Sequence, residues 1–230
     1  MPPATGRPPE LSPIVCRRSW PIAFVHLAFN VDAEEWLTWA QKCQIASEVI
    51  AFIRFRPQLL HAFDSQKDDK AFPTPRSWEF VSRIMNRQSI PDLELIAGVV
   101  GEGAAAEFCG FLRIYHNLPD PETLLRAPET AEVPDDPATL YAICELLSQR
   151  TDLSNLPRIM TYTKQLPPEF SVMLVRDAAR INSAIVQTPD FNTWAMAHAD
   201  VLIQWLSRKD QSAYFWTNRF LIWIKKSTKK

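Results

Sequence analysis

The stretch Phe72–Ile84, F-P-T-P-R-S-W-E-F-V-S-R-I, constrains this chain more than any other. Thr74 fits a helix N-cap, and Pro75 fits the first helical position, where its missing N–H costs nothing. Glu79 and the apolar residues Trp78, Phe80, Val81 and Ile84 follow at helical spacing. Arg76 therefore falls in the first turn, where a cation opposes the helix dipole by roughly a few tenths of a kcal/mol. A residue that breaks a local rule is a candidate for function. Arg76 and the helix N-terminus together suit an anion such as a phosphate. The competing reading pairs Arg76 with Glu79 or with a neighbouring segment.

The rest of the chain reads as helical. Its 230 residues are 47% hydrophobic and 22% charged, the composition of a globular protein with a real core. A net charge of −1 gives no general basic field for nucleic acid. Cys16, Cys43, Cys109 and Cys144 lie far apart without a C-x-x-C pair. They read as reduced, mostly buried thiols of a cytoplasmic protein. Residues 1–20, rich in proline at the start and lacking an apolar signal core, read as a disordered leader. The run F-V-H-L-A-F (Phe24–Phe29) predicts one short orphan strand, which needs partners from elsewhere. Asp32 caps a helix running to about Gln44, with Trp36, Leu37, Trp39 and Ala40 on its apolar face. A second helix opens at Ser47, carries Val49, Ile50, Phe52, Ile53 and Phe55, and breaks at Pro57.

Pro91–Val100 and Gly101–Asn117 read as two helices hinged at Gly98, Gly101 and Gly103, with close helix packing as the reason for the glycines. The phosphate-loop pattern is not met there, since no Lys-Ser or Lys-Thr follows. Residues 119–137 are acidic and Pro-rich and read as a linker. Beyond it, Ala138–Gln149, Leu156–Leu166, Glu169–Arg180 and Asn192–Leu206 show helical apolar spacing. Residues 207–230 form a divergent aromatic and basic tail, either a last helix packed on the core or a membrane-surface anchor. Few basic residues precede its end, which favours the first. His26, His61, His116 and His198 share no metal-ligand spacing, and Asp32 and Glu34 are accounted for as a cap and a first-turn charge. No nucleophile motif is present, so nothing in the residues supports an independent catalytic centre.

Several of these segments resemble one known family. F-V-H-L-A-F-N-V-D-A-E-E-W-L-T-W-A (Phe24–Ala40) resembles the stretch after the last core strand of MoxR-like AAA+ ATPases. E-V-I-A-F-I-R-F-R-P-Q-L-L (Glu48–Leu60), the Phe72–Ile84 stretch and G-E-G-A-A-A-E-F-C-G-F-L (Gly101–Leu112) resemble the helical lid of a bacterial and phage branch. L-Y-A-I-C (Leu140–Cys144) and E-F-S-V-M-L-V-R-D-A (Glu169–Ala178) are similar to its C-terminal extension.

The resemblance implies a mostly α protein: a lid-like helical bundle with a residual core strand over 21–118, and a helical extension over 138–206. It also implies that Arg76 is the sensor-2 arginine, which reaches the terminal phosphates of ATP and couples them to lid movement. ATP and Mg2+ are implied by the family only, since neither the G-x-x-x-x-G-K-[ST] loop nor an acidic strand end is present. The family commonly has an arginine before the strand, and here that place is Ala23. The expectation is a non-catalytic C-terminal portion of such an ATPase, as a truncated gene or a fragment would give. Its partners would be an AAA+ core or homologous subunits. Two alternatives stand beside it: an independent helical adaptor with no nucleotide role, and an ATPase subunit completed by a core-bearing partner chain.

Overall fold

The computed structural model describes residues 31–64, 70–86 and 91–207. These hold eleven α-helices: α1 (Ala33–Lys42), α2 (Ser47–Phe55), α3 (Pro75–Met85), α4 (Leu93–Val100), α5 (Glu102–His116), α6 (Pro121–Arg126), α7 (Pro137–Arg150), α8 (Leu156–Thr163), α9 (Pro168–Ile181), α10 (Pro189–Ala197) and α11 (Ala199–Ser207). The mostly α reading therefore holds for them. The leader, the expected strand Phe24–Phe29 and the tail from 208 lie outside the described residues. Among the described residues no helix is long and apolar enough to cross a membrane.

Local chemistry sets where the helices begin. Asp32, Thr74, Asp92, Asp120, Asp136 and Thr188 each accept a first-turn N–H with their side chains. Proline occupies one of the first two positions of α3, α6, α7, α8, α9 and α10, where no hydrogen bond is lost. Such a cap is worth about 1 kcal/mol against alanine.

The helices bury two contiguous apolar clusters. In the first, Phe52 of α2 meets Trp78 of α3 at 5.3 Å and Phe108 and Phe111 of α5 at 5.1 and 5.6 Å between ring centroids. Trp78 is fully buried, and its indole N–H donates to the Leu59 carbonyl at 2.7 Å. The second cluster joins Leu124 and Leu125 of α6 to Ile143 and Leu147 of α7, Leu156 and Ile159 of α8, and Leu174 and Val175 of α9. The stretch 119–137 thus holds a helix whose two leucines are core residues. Helix α7 serves both clusters: Ala138 and Ala142 lie in the first, Leu140, Ile143, Cys144 and Leu147 in the second. It is accordingly apolar on more than one face.

Several local expectations are corrected. Trp39 and Phe80, placed by spacing on buried faces, are exposed, and Cys43 is exposed where a buried thiol was expected. The single helix expected over Asn192–Leu206 is two, broken at His198. That residue stacks on Trp194 at 4.9 Å, and its Nδ1 lies 2.9 Å from the Trp194 carbonyl. A carbonyl only accepts, so Nδ1 donates to it, while Nε2 lies 3.3 Å from the buried Ser171 hydroxyl. The side chain thus bonds two residues N-terminal to it, at the point where one helix stops and the next begins.

The glycines also divide. Among the described glycines only Gly101 has a positive φ, at 85°, and an added Cβ would lie 2.7 Å from the Ala71 carbonyl oxygen. At Gly98, Gly103 and Gly110 an added Cβ meets nothing within 4 Å, so close packing does not account for them. Gly101→Ala is expected to destabilise the protein by about 1–3 kcal/mol through backbone strain and collision. Gly110→Ala, in the middle of α5, is expected to stabilise it by about 0.5–1 kcal/mol. Urea unfolding of the two variants checks the opposite signs.

Candidate functional site

Arg76 is exposed at the start of α3. The helix beneath it is held at several points. The Thr74 hydroxyl accepts the Ser77 N–H at 3.0 Å, and the Thr74 N–H donates to Ser77 Oγ at 2.7 Å. This reciprocal cap uses serine where glutamate is usual. Trp78 anchors the next turn in the first cluster, and Ser82 Oγ accepts the Ala46 N–H at 2.8 Å, tying α3 to the start of α2. Glu79, the residue expected to compete for Arg76, pairs instead with Arg83 one turn on. The Arg76 guanidinium lies 5.9 Å from the ring centroid of the exposed Phe80, and no carboxylate of the described residues lies within ion-pair distance of it. The geometry is an outward-facing guanidinium on a fixed helix N-terminus. The ground beside Phe24–Phe29, where a phosphate cleft was expected, lies outside the described residues.

The sequence reading missed a second constellation, a buried charge network between the two apolar clusters. Arg54 of α2 lies with Nε 3.3 Å from Glu145 Oε2 of α7 and Nη2 2.5 Å from Asp177 Oδ2 of α9. Arg176 of α9 holds Asp177 Oδ1 at 3.0 Å and reaches Glu34 Oε2 of α1 at 3.2 Å. Arg180 adds a third cation 3.5 Å from Asp177 Oδ1. The Arg54 side chain is 3% exposed, Glu145 0% and Asp177 2%, so these charges are screened by protein alone. The Arg54 contacts are ionic rather than aligned hydrogen bonds, since neither nitrogen finds a hydrogen-bonding acceptor.

The two carboxylates respond differently to burial. Burial pushes the Glu145 carboxyl above its ordinary range, and Arg54 offsets this only in part. Burial also acts upward on Asp177, but Arg176, Arg54 and Arg180 together outweigh it and hold that carboxyl below its ordinary value. The fold thus raises the proton affinity of Glu145 and lowers that of Asp177. The signal was present in the sequence: Arg54, Glu145 and the pair Arg176-Asp177 each interrupt an apolar run. Among the described residues no group of three His, Cys, Asp or Glu side chains is placed to hold a metal ion.

No protein-family model, curated protein or solved structure matches this chain.

The charge network gives a sharp comparison. Asp177→Asn leaves Arg54, Arg176 and Arg180 without their shared anion and is expected to destabilise the protein by about 3–5 kcal/mol. Glu145→Gln installs a neutral group where the fold disfavours charge, and is expected to cost less than half as much. The pH dependence carries the sign of each shift. The contribution of Asp177 is fully present above its unfolded value near 3.8 and is lost as pH falls through the lower folded value. The raised Glu145 acts oppositely, its contribution falling as pH rises through its folded value. Chemical denaturation of the wild type and both variants between about pH 3 and pH 7 reads each slope as the difference that its variant removes.

Proposed function

We propose that this chain is the lid and helical extension of a MoxR-like AAA+ ATPase, and that Arg76 is its phosphate-sensing residue. The observation that carries the reading is Arg76 itself: an exposed guanidinium in the first turn of a capped helix, without a carboxylate partner among the described residues. A planar guanidinium matches phosphate oxygens in a way lysine does not. The exposed Phe80 beside Arg76 offers apolar surface that an ATPase core would cover. The Thr74–Ser77 cap and the Trp78 anchor give the arginine a rigid base. A pull on its guanidinium moves α3, and α2 with it through Ser82 and Ala46.

Hydrolysis needs a phosphate loop, an acidic strand end and Mg2+ between the phosphates. A core-bearing partner would supply all three, and this chain contributes the arginine. Alone, a few charge-assisted contacts of about 1.5–3 kcal/mol each, reduced by ordering, leave ATP binding near or above the millimolar range.

The test mixes the full chain with a MoxR-like AAA+ core that carries the phosphate loop. ATP hydrolysis by the core is expected to rise when the chain is added. It is expected to fall at least tenfold with Arg76→Ala, which lies on the surface and leaves the circular dichroism spectrum unchanged. Stimulation that survives Arg76→Ala removes Arg76 from the phosphate site. Failure of the chain to bind any such core overturns the lid reading and leaves a self-standing helical adaptor.

A further inference from the structure

Helix α2 has no free side. Val49 to Arg54 are buried in unbroken succession, and at about 100° per residue such a run covers every face of the helix. A displacement applied to α2 is not absorbed by solvent, and a close-packed interior passes it on. The polar contacts of the helix mark where a displacement enters and where it leaves.

It enters from α3. Ser82 Oγ, on a residue 2% exposed, accepts the N–H of Ala46, the N-cap of α2, at 2.8 Å. The Trp78 indole donates to the Leu59 carbonyl at 2.7 Å, in the 3-10 turn Pro57–Leu60 that follows α2. One helix therefore holds the other just before its first residue and just after its last turn. The Phe52–Trp78 ring contact adds a third point of attachment. Two bonds at separated points fix direction as well as distance, so α3 and α2 turn together. The outer face of α3, with Arg76, Phe80 and Arg83, is exposed, and a force from outside has that face to act on.

It leaves through Arg54, in the last turn of α2. The guanidinium meets α7 at Glu145 and α9 at Asp177, and none of the three side chains is more than 3% exposed. Separating charges with no water to replace the partner costs far more than at the surface. Helices α7 and α9 therefore follow α2 rather than part from it. Arg176 and Arg180 also hold Asp177, so the pull reaches α9 at a point its own side chains stiffen.

We propose that α2 is a lever: the nucleotide state read by Arg76 turns α3 and α2 as one body, and Arg54 carries that movement to α7 and α9. This role rests on the phosphate-sensing reading of Arg76 and adds where its signal goes. Both recipient helices contribute to the second apolar cluster, so the presence of the phosphate becomes a strain on the helical extension.

Hydrogen–deuterium exchange of the full chain bound to a MoxR-like AAA+ core, with ADP and with a non-hydrolysable ATP analogue, tests this. Amides of α7 near Glu145 and of α9 near Asp177 are expected to exchange at rates that differ at least about threefold between the two nucleotides. Those of α6, which adds no residue to the charge network, are expected to agree. Ser82→Ala is expected to leave the stimulation of ATP hydrolysis within about twofold of wild type and to abolish the exchange difference in both helices. Glu145→Gln is expected to lower the difference in α7 more than in α9, where Asp177 still holds Arg54. Thermal melts establish that each variant is folded at the assay temperature. Stimulation without a nucleotide difference in α7 and α9 overturns the lever and leaves the reading of Arg76 intact. So does a difference that survives Ser82→Ala or that Glu145→Gln does not touch. Absence of stimulation by the wild type overturns the reading of Arg76, and the lever with it.

Discussion

Arg54 is the residue on which the arrangement of the helices turns. Its backbone belongs to α2 among the residues of the first apolar cluster, yet its charge is answered by α7 and α9. An ionised side chain out of water demands a partner, and the partners here come from far along the chain. Glu145 and Asp177 in turn constrain the faces that α7 and α9 present to α2. Arg176 extends the requirement to α1 through Glu34. Apolar packing tolerates sliding of one helix on another; a network of paired charges at 2.5–3.5 Å does not.

Much of this was legible in the residues. The caps at Asp32 and Thr74, the proline starts and the apolar spacing of α2, α3, α5, α7 and α9 follow from local chemistry, which a linear reading captures. The charge network did not emerge, although Arg54, Glu145 and Arg176-Asp177 stand in apolar surroundings. Spacing shows that a charge sits on a buried face, but not which distant residue answers it. Trp39 and Phe80 failed for the same reason: hydrophobic residues at the right spacing still need an element to pack against. The break at His198 falls where its ring meets Ser171, a tertiary contact that no helical periodicity encodes. The glycines of α4 and α5 were grouped together by composition, whereas the backbone separates Gly101, held by its φ and by Ala71, from the rest.

Arg76 was legible as an oddity, a cation in the wrong turn. Its surroundings sharpen that oddity, since Glu79 is engaged with Arg83 and the helix under Arg76 is fixed by the Ser77 cap and by Trp78.

The double membership of α7 has a practical consequence for dissecting the protein. A boundary drawn between α5 and α6 would leave α2 with a bare cation on its surface and strip Phe52, Phe111 and their neighbours of the cover that Ala138 and Ala142 provide. The C-terminal piece would keep Glu145 and Asp177 without Arg54. Neither half is an autonomous folding unit on these terms, so expression trials, isotope-labelling schemes and split reporters are best designed around the undivided span from α1 to α10.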